Sequence, residues 1–174
     1  STVPARDHYR FLGWCSVATT SSNGVDSCSG TVYNPNGNGT NLTYGIDQTA
    51  ANTTTLYAMW KIDTFTCTKQ YRLENVDGTW GNYTTEATET VNYGGTCSYS
   101  KTVTNYRGAS NAANGAAGST SASNIAADTT LRLDFYRNTF TCSKQYRLED
   151  ASGNWGSYTA DGSEIHPESH LITV

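Results

Sequence analysis

The chain has 174 residues, of which 36% are apolar and 15% charged, and it carries a net charge of −4 at pH 7. An acidic balance without any Lys/Arg cluster argues against nucleic acid and anionic membrane as partners. No apolar run approaches the roughly 18 to 20 residues that cross a bilayer, so membrane insertion is not expected of this segment either.

Gly, Ser, Thr, Asn and Tyr carry the bulk of the sequence. That composition suits mainly β, turn-rich, surface-exposed modules better than helical enzymes. The start, "STVPARDHYRF", has no secretory leader and reads like the interior of a longer protein. Cys15 and Cys28 then flank "CSVATTSSNGVDSC", a polar loop with no other means of holding itself closed. A disulfide across it would contribute about 3 kcal/mol in the chain-entropy treatment. After the low-complexity stretch "NPNGNGTN", "TTTLYAMW" at 53–60 alternates as a strand does, placing Leu56, Ala58 and Trp60 on one buried face.

The next segment, "DTFTCTKQYRLENVDGTWGNYT" at 63–84, reads as a β-hairpin. Phe65, Cys67, Tyr71 and Leu73 point one way, interrupted by Lys69. Thr66, Thr68, Gln70, Arg72 and Glu74 point the other. Asn75-Val76-Asp77-Gly78 supplies the turn, with Gly78 suited to a positive φ. Cys97, just past Gly94-Gly95, is the expected disulfide partner of Cys67, and at most a short helix is expected there. The stretch "GASNAANGAAGSTSASN" reads as an exposed loop.

The chain then repeats itself. "DTTLRLDF" at 128–135 matches "TTTLYAMW", and "NTFTCSKQYRLEDASGNWGSYT" at 138–159 matches the hairpin. The offset is 75 positions throughout, so Cys67 corresponds to Cys142 and Trp80 to Trp155. The frame is a half, a whole and a half: 1–61 is the second half of a unit, 62–137 is complete, and 138–174 begins a third. Cys142 is left unpaired, because Ile172 stands where a counterpart of Cys97 would be. An uncovered hairpin seeks a partner. The fragment is therefore expected to be a cut from a longer chain, to close its halves on each other, or to self-associate head to tail through 138–174.

These residues resemble a known family. Tyr9, Phe11, Gly13 and Trp14, followed by Leu56, Tyr57, Ala58 and Trp60, are similar to the motifs of the Listeria–Bacteroides (internalin B-type) repeat. His8 stands where that family prefers Gly, which would alter a turn. The central unit, "KQYRLENVDGTWGNY" to "LRLDFYRN", looks like the related mucin-binding-type repeats. The resemblance implies β-grasp-like modules strung in series on bacterial surface and secreted proteins, as stalk or adhesive segments, with no catalytic residue.

The candidates for chemistry are weak beside their structural readings. "HPESH" places His166, Glu168 and His170 together, but Pro167 opposes the helix that would align the two histidines, so no metal or other cofactor is expected. No cysteine spacing suits zinc, and no G-x-S-x-G elbow is present. Glu86/Glu89 and Glu149/Asp150 read as surface charge. Among the rings, Trp14, Trp60, Trp80 and Trp155 are expected in the core, while Tyr83, Tyr99 and Tyr106 are the candidates for an exposed binding face. Asn38, Asn41, Asn52 and Asn82 sit in glycosylation sequons. The chain is thus read as a non-enzymatic, extracellular, disulfide-bonded segment of a bacterial surface protein. Its partner would be a host or neighbouring-cell surface protein or glycan. The alternatives are a glycan- or protein-binding module and a subunit of a surface fibre.

Overall fold

A computed structural model describes residues 4–33 and 55–167, and these form strands, turns and no helix. The fold is mainly β. Compact packing divides the chain into two units that interleave along the sequence. One takes the residues up to Cys67 with Glu89–Cys97 and Ser123–Thr129. The other takes Thr68–Thr88, Ser98–Ala122 and the chain from Thr130 on. The first low-complexity stretch, with Asn38 and Asn41, lies outside the described residues, as do Asn52, Glu168 and His170.

The first unit holds a five-stranded sheet built from β1 (Tyr9–Cys15), β2 (Thr20–Ser22), β3 (Val25–Ser27), β4 (Val32–Tyr33) and β5 (Tyr57–Ile62), in the order β2-β3-β5-β1-β4. β1 runs antiparallel to β5, and the register shifts between Phe11 and Gly13, a β-bulge with Gly13 at φ 136°. Phe11 and Trp14 are three apart and would face opposite sides of a regular strand. The bulge turns both toward one face, where Phe11 packs edge-on against Trp14 and Trp60, each at 5.4 Å between ring centroids. Met59, opposite Gly13, becomes the buried residue of β5, while Ala58 and Trp60 are half-buried. The expected alternation of Leu56, Ala58 and Trp60 as the buried face is therefore only partly realised.

His8 adopts φ 62°, in the left-handed region where glycine is favoured. Its ring stacks on Tyr93 at 3.4 Å. Asp26 on β3 accepts a hydrogen bond from the Trp60 amide at 2.9 Å, closing the second side of β5.

The second unit takes the larger part of a sheet in which β6 (Thr64–Leu73) lies between β7 (Thr84–Asn92) and β11 (Thr129–Arg137), with β9 (Tyr106–Arg107) beyond β11. Side-chain contacts between β6 and β11 keep a constant separation of 62 positions, at Gln70 with Arg132 and Arg72 with Asp134, so the two strands run in parallel. β8 (Cys97–Lys101) pairs with β10 (Gly118–Ala122). The segment after Gly95 thus passes from a turn into a strand rather than a helix, and the end of the second low-complexity stretch is itself a strand.

The alternation expected of 131–135 is clean. Leu131, Leu133 and Phe135 are buried, Phe135 at 0% exposure, with Tyr71 edge-on to it at 6.3 Å. Gly118 lies beneath the Phe135 ring. Gly108 and Gly118 approach so closely that a Cβ on Gly108 would lie 2.3 Å from Gly118 Cα. The chain ends in a separate two-stranded sheet, β12 (Thr139–Tyr146) with β13 (Thr159–Pro167).

Candidate functional site

The densest polar and aromatic grouping of the second unit lies on the β6–β11 face opposite Phe135. Arg72 is placed there by strand alternation and donates to both Asp134 oxygens, Nε to Oδ1 at 2.8 Å and Nη2 to Oδ2 at 3.0 Å. Tyr83 donates its hydroxyl to Asp134 Oδ1 at 2.9 Å. The Arg72 guanidinium lies over the rings of Trp80, at 4.6 Å, and Tyr83, at 4.7 Å. Trp80 in turn meets Tyr136 edge-on at 5.0 Å. Arg132 covers Tyr83 at 4.9 Å and donates to Gln70 Oε1 at 3.1 Å.

The charges reinforce one another. The Arg72 hydrogen bond holds the Asp134 carboxyl below the usual carboxylate range, with Tyr83 adding to the effect, and Asp134 raises Arg72 in return. Burial first, and then Asp134, push the Tyr83 hydroxyl up. Asp134 and Arg72 are thus held in their charged forms, and the Tyr83 hydroxyl in its neutral, donating form. The arrangement braces two strands and presents a flat guanidinium–aromatic surface. A smaller brace joins Glu86 to Tyr99 and Lys101, with the Lys101 ammonium over the Tyr71 ring at 4.4 Å. Burial, and then Glu86, raise the Tyr99 hydroxyl far above its ordinary range.

The second copy repeats half of the main cluster. Arg147 lies over Trp155 at 4.8 Å and Tyr158 at 5.0 Å, the counterparts of Arg72, Trp80 and Tyr83. Among the described residues no carboxylate meets Arg147. The rings around it are open to solvent, Trp155 at 55% and Tyr158 at 62%.

This corrects two expectations about the aromatic residues. Tyr99, expected at the surface, is 6% exposed. Tyr83 and Tyr106 are half-buried with their hydroxyls engaged, that of Tyr106 to the Glu74 carbonyl at 3.3 Å. Trp14, Trp60 and Trp80 are half-buried, but Trp155 is exposed rather than in a core. Apart from Tyr57 on β5, the exposed Phe, Tyr and Trp rings among the described residues lie in the C-terminal hairpin: Phe140, Tyr146, Trp155 and Tyr158.

Cys15 is bonded to Cys28 and Cys67 to Cys97, with Cα atoms 5.7 and 6.4 Å apart, and Cys142 is a free, half-buried thiol. Two disulfides are more typical of extracellular or secreted proteins than of cytosolic ones. Cys67, Glu89 and Cys97 lie close together, but both sulfurs are spent in the disulfide, which leaves no thiolate for a metal. His166 Nε2 lies 3.1 Å from Glu164. Asp150 accepts the amide hydrogens of Asn154 and then Ser152 in the second turn, which lowers its pKa. Glu89, Glu149 and Asn82 are exposed. Comparison with family models, curated proteins and solved structures finds no match to this chain.

Proposed function

We propose that this chain is a non-enzymatic, extracellular β-repeat segment of a bacterial surface protein, built of β-grasp-like modules of the Listeria–Bacteroides type and serving as stalk or adhesin module. The observation that supports this reading is the fidelity with which the hairpin is repeated. Asn75 N–H donates to Thr79 C=O at 2.7 Å, and Asp150 N–H to Asn154 C=O at 2.8 Å. Gly81 N–H donates to Leu73 C=O at 2.9 Å, and Gly156 N–H to Leu148 C=O at 2.8 Å. Gly78 and Gly153 hold φ at 80° and 83°. Repeating a whole strand unit adds length and displayed surface, which is what a shaft requires.

Pulling the chain from its two ends tests the mechanical role. Disulfide loops of 13 and 30 residues are shielded from extension until reduced. Reductant should then lengthen the extended chain by roughly 150 Å, at about 3.5 Å per residue. Unchanged length after reduction would count against stapled modules. A stalk shows no selective glycan or protein capture on an array. A selective hit would favour the binding-module reading instead, for which the exposed rings of the last hairpin speak.

A further inference from the structure

Within the second unit, the loop between β9 and β10 is tied to the entry of β12 through one dipeptide, Asn114-Gly115. The Asn114 carboxamide makes two hydrogen bonds to the Thr139 backbone. Its Nδ2 donates to the Thr139 C=O at 2.7 Å, and its Oδ1 accepts from the Thr139 N–H at 3.0 Å. The Gly115 N–H donates to Asn138 Oδ1 at 3.1 Å. Asn138 is itself fixed: its side chain is buried and its N–H donates to the Asn105 C=O at 3.0 Å. The loop is closed by Gly108 N–H on the Ala116 C=O at 2.9 Å and by Arg107 Nε on the Ser110 C=O at 3.2 Å. Asn114 and Gly115 nevertheless lie at the surface, within reach of water.

We propose that Asn114 is a latent deamidation site, held unreactive by its hydrogen bonds to 138–139 and released when this loop opens. Asparagine before glycine is chemically primed, because a glycine nitrogen has no neighbouring Cβ to hinder its attack. The Gly115 amide loses its proton and attacks Asn114 Cγ. The N–Cγ bond forms as Cγ–Nδ2 breaks, and Nδ2 takes up a proton and leaves as ammonia. Water then opens the succinimide at either carbonyl, giving aspartate or isoaspartate with no change in oxidation state. In the clamped loop both reacting nitrogens are occupied: Asn138 Oδ1 holds the hydrogen of the nucleophile, and the Thr139 carbonyl holds the leaving group. The change runs one way. A carboxylate has no hydrogen to give the Thr139 C=O and would set its charge against that oxygen, so the clamp cannot re-form as it was. An opening of the loop at the entry of β12 is thereby recorded permanently in the chain.

The experiment incubates the full chain at mildly alkaline pH, once folded and once in urea, and follows Asn114 by peptide mapping that resolves asparagine, aspartate and isoaspartate. Conversion in the folded chain should be at least about tenfold slower than in urea, since each of the three bonds is worth a factor of a few. Amide hydrogen exchange at Gly115 supplies an independent reading. Exchange and attack both begin with loss of the Gly115 proton, so the protection of that amide and the slowing of deamidation should agree within about threefold. Asn138→Ala should raise both rates together, with unchanged amide shifts away from the loop and 138–139 showing that the variant is folded. The comparison on the parent chain needs no variant. Equal conversion in the folded and unfolded chains would overturn the inference. So would slowing without matching protection at Gly115, or an Asn114 that stays intact in urea.

Discussion

Arg72 and Asp134 meet through two parallel hydrogen bonds of 2.8 and 3.0 Å, joining β6 to β11 on the face opposite the buried Phe135. Because Asp134 is held below its ordinary range, the folded state binds its proton less readily than the unfolded chain does. The brace therefore stabilises fully at neutral pH and fades as pH falls below about 4. Asp134→Asn should lower stability at pH 7, and its difference from the parent should shrink on acidification. Urea denaturation across a pH series reads this, and a difference constant from pH 7 to the acid end would contradict it.

Phe135 and Trp60 occupy equivalent repeat positions, yet Phe135 is wholly buried and Trp60 is not. Phe135→Ala should cost about 3 to 5 kcal/mol. Trp60→Ala should cost less, about 1 to 3 kcal/mol, because part of its ring area is already wet. Equal losses in chemical denaturation would mean that the two strands are covered alike.

Gly108 faces the backbone of Gly118 with no room for a methyl group, whereas a Cβ on Gly78 meets nothing within 4 Å. Gly108→Ala must separate two backbone segments, and about 1 to 3 kcal/mol is expected. Gly78→Ala should lose about 1 kcal/mol, through its positive φ alone. The ranking is read from thermal midpoints, and a milder effect at Gly108 would show that the approach is not tight.

The two disulfides close loops of 13 and 30 residues. The chain-entropy relation gives about 3 kcal/mol for the shorter loop and about 3.5 for the longer. Replacing Cys67 and Cys97 together by Ala should therefore destabilise at least as much as replacing Cys15 and Cys28. Non-reducing peptide mapping checks the pairing itself, and a Cys67–Cys142 linkage would refute it.

The sequence by itself determined the repeated hairpin, the glycines of its turns, the pairing of its cysteines and the strand character of the chain. These depend on neighbours a few residues apart: a positive φ that favours glycine, an alternation of side chains, a polar loop that needs closing. What lay beyond it was burial. Trp80 and Trp155 sit in closely similar local sequences, and their turns share the same hydrogen bonds. Among the described residues, only the first hairpin has β11 beside it, and only its arginine meets a carboxylate. Tyr99 gave no local sign that it would be enclosed. The side-by-side placement of Phe11 and Trp14 needed the bulge at Gly13, which exists only because β1 is held in register against β5. A side chain's exposure is set by strands that arrive from elsewhere in the chain, and that arrival was decided by the tertiary structure alone.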